Sequence, residues 1–200
     1  MARAPHTSTT SALLEGLFNT DDYAVWQEFD RRYRPIVFGF ACRLGLDEVD
    51  AADVAQETLV RFVQAYRARE YDRQRGRLRA WLMSIAKYRV ADLQRARARQ
   101  RQWRGESAIL NLTDETELTK IWDAEHRSYI LAQAIGELRT TTKVSEKTIE
   151  AFERVVLKEE PVKQVAADMG IKPQDIYVAK NRIAEKLRSI LAKYEGLFDD

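Results

Sequence analysis

Apolar side chains recur at every third or fourth position through almost the whole chain, and no other feature restricts its fold as strongly. An α-helix turns once in 3.6 residues, so such a stripe falls on one face and can be buried. A strand needs alternation with period two, and no alternating run of β-branched residues stands out. The breakers agree, because the 8 Gly and 4 Pro lie mainly between the striped stretches. The expected fold class is all-α, and 200 residues suit one domain or two small ones. The lone cysteine, Cys42, excludes an internal disulfide and a CxxC zinc site, and His6 and His126 stand too far apart to suggest a ligand pair. No stretch approaches the roughly 20 apolar residues that cross a bilayer, and the N-terminus has no apolar core of signal-peptide length. A reducing cytoplasm fits, with no cofactor, no metal and no catalytic residue expected.

The stripes divide the chain. Residues 1–20 read as an extension with a short helix around 11–17. After Asp21 and Asp22, which favour a helix start, Trp26, Phe29, Tyr33, Val37, Phe40 and Leu44 step along one face until Gly45. Pro35 removes an amide donor and crowds the preceding turn, which predicts a kink or break near 33–35. From Glu48 a second helix turns Ala55, Leu59, Phe62, Val63 and Tyr66 inward and Asp50, Asp53, Gln56, Glu57 and Arg61 outward. Residues 67–77 form a charged loop containing Gly76. A basic helix follows, packing through Leu78, Trp81, Leu82, Ile85 and Leu93 and leaving Arg77, Arg79, Lys87, Arg89, Arg95, Arg97, Arg99 and Arg101 for solvent or nucleic acid. Trp103 and Arg104 close this first domain, 21–104. Residues 105–120 mix Gly, Ser, Thr, Asn and acids and read as a flexible linker to a second small helical domain, 121–200.

The formal charge of +2 hides a segregation. Residues 1–60 carry −5, residues 61–104 carry +11, residues 105–140 carry −4 and the remainder is neutral. One segment is therefore suited to meet phosphates.

In the second domain, Trp122, Leu131, Ile135 and Leu138 lead to a Thr-rich turn at 140–142. Ser145 caps a helix that buries Ile149, Phe152, Val155 and Val156, and Pro161 opens the next. Val162, Val165, Ala166, Met169, Gly170, Ile171, Pro173, Ile176, Ala179, Ile183 and Leu187 then spell a helix-turn-helix. Small Ala166 permits a close helix crossing, Gly170 takes the left-handed turn, and Ile171 and Ile176 fill the shared core. Pro173 suits the first turn of the second helix.

The runs DAADVAQETLVRFVQAY at 50–66 and YDRQRGRLRAWLMSIAKYRVADLQRARARQR at 71–101 resemble region 2 of the extracytoplasmic-function class of bacterial sigma factors, in the sigma-70 family. The distal helix-turn-helix resembles region 4 of that class, so the likeness spans roughly 20–195. It implies a protein that directs RNA polymerase to promoters and assists their melting. Binding of the core polymerase, through its β′ clamp and β subunits, is implied for Asp50, Asp53, Gln56, Glu57 and Arg61. Capture of a flipped minus-10 base and its single strand is implied for Asp72, Arg73, Gln74, Arg75, Arg77, Lys87, Arg89 and Arg95. Reading of the minus-35 duplex is implied for the helix from 172 to about 194, with Lys172, Gln174, Asp175, Tyr177, Val178, Lys180, Asn181 and Arg182 as outward candidates. The chain departs from the family pattern in Ala52, where a third carboxylate is common, in Lys172, where a capping Ser is frequent, and in Lys180, where Leu is frequent.

Plainer readings stand beside these. The Arg-rich run 95–104 taken alone is as readily a solvated helix face as a nucleic-acid surface, and its place after Trp81 and Tyr88 favours the latter. Trp26, Phe29, Tyr33 and Trp81 are core packing, and Cys42 is a small buried hydrophobe. Asp50, Asp53 and Glu57 share a face without any His, which favours a protein-binding surface over metal or acid-base chemistry. A kinase acting at Thr58 would add about two negative charges near that face, and an anti-sigma protein is the other regulator to expect. The alternative function is a free-standing helix-turn-helix regulator that needs no core polymerase. A purely protein-binding adaptor would leave the +11 segment without a partner.

Overall fold

The computed structural model describes residues 10–18, 23–71, 77–102 and 114–198. Among these every regular element is helical: α1 (Thr10–Gly16), α2 (Tyr23–Arg43), α3 (Glu48–Arg67), α4 (Leu78–Gln102), α5 (Glu115–Thr141), α6 (Glu146–Phe152) with a π-helical turn (Glu153–Leu157), α7 (Val162–Met169) and α8 (Pro173–Gly196). The all-α expectation is borne out. The chain divides into two compact units, Met1–Tyr129 with Phe198–Asp200, and Ile130–Leu197.

In the first unit α3 packs on both α2 and α4. Phe29, Ile36, Val37 and Phe40 of α2 meet Ala51, Ala55, Leu59 and Phe62 of α3, all fully buried. Burying each large apolar side chain contributes about 1.5–3 kcal/mol, so this stripe stabilises the unit. The face that α4 turns inward is Leu78, Leu82, Ala86 and Val90, a strict step of four, while Trp81, Ile85 and Leu93 lie half-buried beside it. Asp47 caps α3 by accepting the Asp50 amide at 3.0 Å. Cys42 is half-buried and not fully enclosed.

The break expected near Pro35 does not occur, since α2 runs unbroken through it. Proline has no amide to give the Arg31 carbonyl four residues back. That carbonyl accepts from the Tyr129 hydroxyl of α5 at 3.4 Å. Buried Arg32, only 1% exposed, bonds Glu28 one turn away at 2.9 Å.

The expected linker is also corrected in part. Residues 105–113, with Trp103 and Arg104, lie outside the described residues, but 115–120 are the first turns of α5. Asp114 supplies the start, accepting the Thr116 amide at 2.8 Å and the Glu117 amide at 3.3 Å. Leu118 and Trp122 then give an apolar face buried in the first unit, where Trp122 meets Phe40 edge-on at 5.6 Å. Trp122, expected in the second domain, thus belongs to the first, and the units divide inside α5 after Tyr129. Gly39 makes room for α5, because a Cβ there would overlap the Glu125 carboxyl.

In the second unit Ser145 caps α6, accepting the Thr148 amide at 3.3 Å. Gly170 ends α7 with φ of 60°, the left-handed value its lack of Cβ permits. Ala151, Val165, Ala166 and Ile176 form a buried cluster, flanked by Val155, Val162, Met169 and Ile171. Arg154, in the π turn, holds both Glu160 and Asp168 at 2.6 Å. Those two carboxylates raise its pKa further, and Arg154 in turn holds the Glu160 carboxyl below its usual range. No helix among the described residues is long and apolar enough to cross a membrane.

Candidate functional site

The outward face of α3 carries the five residues that the sequence singles out. Asp53, Gln56 and Arg61 are exposed, and Asp50 and Glu57 are half-buried. The last two do not stand alone. Glu57 pairs with Arg61 on its own helix at 3.1 Å and with Arg89 of α4. Asp50 pairs with Arg97 of α4, which also reaches the capping Asp47 at 3.1 Å. The Asp50 amide and then the Arg97 guanidinium hold the Asp47 carboxyl below its ordinary value. Thr58, expected as a phosphorylation site, is fully buried, so a kinase cannot reach its hydroxyl in this fold.

On the basic side, Arg77 and Arg95 are exposed, while Lys87 and Arg89 are half-buried. Arg95 pairs with Asp92 at 2.7 Å and Arg79 with Asp123 at 2.8 Å. Asp72, Arg73, Gln74 and Arg75 lie outside the described residues, as does the side chain of Arg101.

Between α3 and α4 runs an open cleft of about 660 Å³. Arg61 and Gln64 line one side, and Trp81, Tyr88 and Arg89 the other. Tyr71 stacks obliquely on Trp81 at 4.9 Å and meets Phe62 at 5.7 Å, which fixes the backbone where it leaves α3. Tyr88 is 63% exposed at the cleft, which Glu70 and Asp92 also line. A π-face between guanidinium groups suits a nucleobase with its phosphate. In the sequence Tyr88, ahead of the Arg-rich run, favours the nucleic-acid reading of that run without being a named site residue, and its place between Lys87 and Arg89, off the step of four, marks it as outward.

In the second unit Ile176, Ala179, Ile183 and Leu187 of α8 are buried. Lys172, Gln174, Asp175, Tyr177, Val178, Lys180, Asn181 and Arg182 are all exposed. The structure thus brings all eight candidates to the solvent side, Lys180 included. Asp175 has a local partner, since its carboxylate accepts the Lys172 amide at 3.2 Å. It thereby supplies the capping that the Lys172 side chain, a pure donor, cannot give.

The first unit is thus all-helical, with an acidic outer face on α3 and the basic α4 beside it. Residues 29–101, a little over a third of the chain, match the family model of Sigma-70 region 2. The sigma-70 family consists of non-enzymatic proteins of transcription initiation, and this stretch is similar to one of its domains. Domains of this family bind core RNA polymerase and promoter DNA, in promoter recognition and melting. Comparison with curated proteins gives no match.

Proposed function

We propose that the chain is a sigma factor of the extracytoplasmic-function type, acting in the cytoplasm and directing RNA polymerase to a set of promoters. The match over 29–101 carries this reading, because those residues hold both the acidic face of α3 and the basic face of α4. In it, Asp50, Asp53, Gln56, Glu57 and Arg61 bind the clamp of the core enzyme. The segment with Asp72, Arg73, Gln74 and Arg75, together with Arg77, Lys87, Arg89 and Arg95, holds the melted minus-10 strand. The cleft under Tyr88 is a natural seat for an unstacked base, whose extrusion costs a few kcal/mol and needs compensation of this kind. The second unit acts as region 4: α8 enters the minus-35 major groove with Lys172 to Arg182 foremost, and an anti-sigma protein is the expected regulator.

Mixing the chain and core polymerase with a plasmid library tests the proposal. A sigma factor yields start sites sharing two upstream motifs, and a free-standing helix-turn-helix regulator yields none. Within that frame, Asp53→Arg with Glu57→Arg weakens core binding at least tenfold, about 1.4 kcal/mol, and leaves duplex binding by the second unit unchanged. Equal loss of both in a pull-down and a gel shift would refute the division of labour.

A further inference from the structure

We propose that the outermost row of α8, Gln174, Val178 and Asn181, reads A·T base pairs in the duplex, with Val178 as the residue that selects thymine. This rests on the function proposed above and names the class of sequence that α8 recognises. Ile176, Ala179, Ile183 and Leu187 are buried and fix which side of α8 faces its own unit. At about 100° per residue, Gln174, Val178 and Asn181 fall within about 60° of one another on the opposite side. All three are exposed. At about 1.5 Å per residue the row is roughly 10 Å long, the height of about three stacked base pairs. Glu185, exposed next in line, closes it, because an outward carboxylate repels phosphate.

The chemistry of the row selects its ligand. Val178 is 61% exposed and adjacent Tyr177 56%, so two apolar surfaces meet water among polar neighbours. In the major groove an isopropyl group finds one apolar partner on a base edge, the 5-methyl of thymine. The amides of Gln174 and Asn181 each offer an acceptor and a donor side by side, which matches N6 and N7 of adenine. Guanine presents two acceptors and suits a guanidinium or an ammonium group. The row holds neither, since Lys172, Lys180 and Arg182 stand off its line. Those exposed cations flank the row and hold phosphates on any sequence, so they set affinity while the row sets preference.

The experiment uses the full chain with core polymerase on a promoter recovered from the plasmid library, and its upstream motif should contain successive A·T pairs. Each thymine of that motif is replaced in turn by deoxyuridine, which lacks only the methyl group. At one position the replacement weakens promoter binding roughly two- to fivefold. With Val178→Ala that loss disappears, because the methyl no longer has a partner. Exchanging a neighbouring A·T pair for G·C weakens binding of the unsubstituted chain by at least about fivefold, and Asn181→Ala removes this preference. Both side chains are exposed and alanine favours a helix, so the variants keep the fold. An upstream motif made of G·C pairs alone overturns the inference. So does a deoxyuridine effect that is absent, or equal with and without Val178. If start sites share two motifs but these preferences fail, only the assignment of the row is wrong. If they share none, the proposed function falls with it.

Discussion

On α3 and α4 of the first unit, Asp50, Glu57, Arg89 and Arg97 are already engaged with one another, whereas on α8 of the second Lys172, Lys180 and Arg182 stand exposed with no ion pair among the described residues. The two surfaces carry similar side chains in different states of readiness. A polyanion meeting α8 gains the full attraction of those cations, less only their hydration. A partner that takes Asp50, Glu57, Arg89 or Arg97 must first displace a charge of this chain's own. Net charge therefore misreports both surfaces, and the count of uncommitted charges describes them better.

The contrast can be unpicked from beneath. Phe62 is fully buried and stacks on Phe29 at 5.4 Å, directly under the α3–α4 border. Phe62→Ala destabilises the first unit by about 3–5 kcal/mol. All four tryptophans precede residue 130, so urea unfolding followed by tryptophan fluorescence reads that unit alone, and an unchanged midpoint would contradict the core described here. The uncommitted surface is tested next. Under the proposed function Arg182→Ala weakens use of minus-35-dependent promoters by about 1–3 kcal/mol, seen as a loss of roughly 5- to 150-fold in transcription from them. Normal initiation on those promoters would move the reading surface away from the start of α8.

The smallest effect concerns pH. Burial pushes the His126 imidazole below its ordinary 6.5, and the nearby Asp123 carboxylate only partly opposes this. Above 6.5 folded and unfolded chains both hold it neutral. Below 6.5 the unfolded chain takes up the proton first, so stability of the first unit declines as pH falls from there toward the lower folded value. Fluorescence-monitored urea midpoints between about pH 7.5 and about pH 5 should show this decline, and His126→Gln should flatten it.

The parts of this molecule that local physics determines were legible in the chain itself. Gly170 takes the left-handed turn, Pro173 begins α8, Ser145 caps α6, and the α3 stripe from Ala55 to Val63 is buried. Each of these rests on neighbours within a few residues. What escaped were matters settled by distant partners. The continuity of α2 through Pro35 is supported by a hydroxyl 98 positions away, and Glu57 meets Arg89 across 32 positions. The start of α5 was hidden because polar composition resembles a linker until Leu118 and Trp122 find Phe40 and its neighbours. Thr58 looked available on a charged helix, yet the step from Ala51 through Ala55 to Leu59 turns it inward with Val54. The charged candidates were identifiable as outward, but not as mutually paired, because no periodicity encodes which helix lies alongside.

The tyrosine that reaches the Arg31 carbonyl has an implication for how α2 tolerates change. Replacing Pro35 with an ordinary residue would restore an amide to the helix and offer that oxygen an intrachain donor. A carbonyl oxygen has two lone pairs, so it can accept from that amide and from the Tyr129 hydroxyl together. Pro35 thus moves one tie of α2 from its own backbone to the side chain of a remote helix.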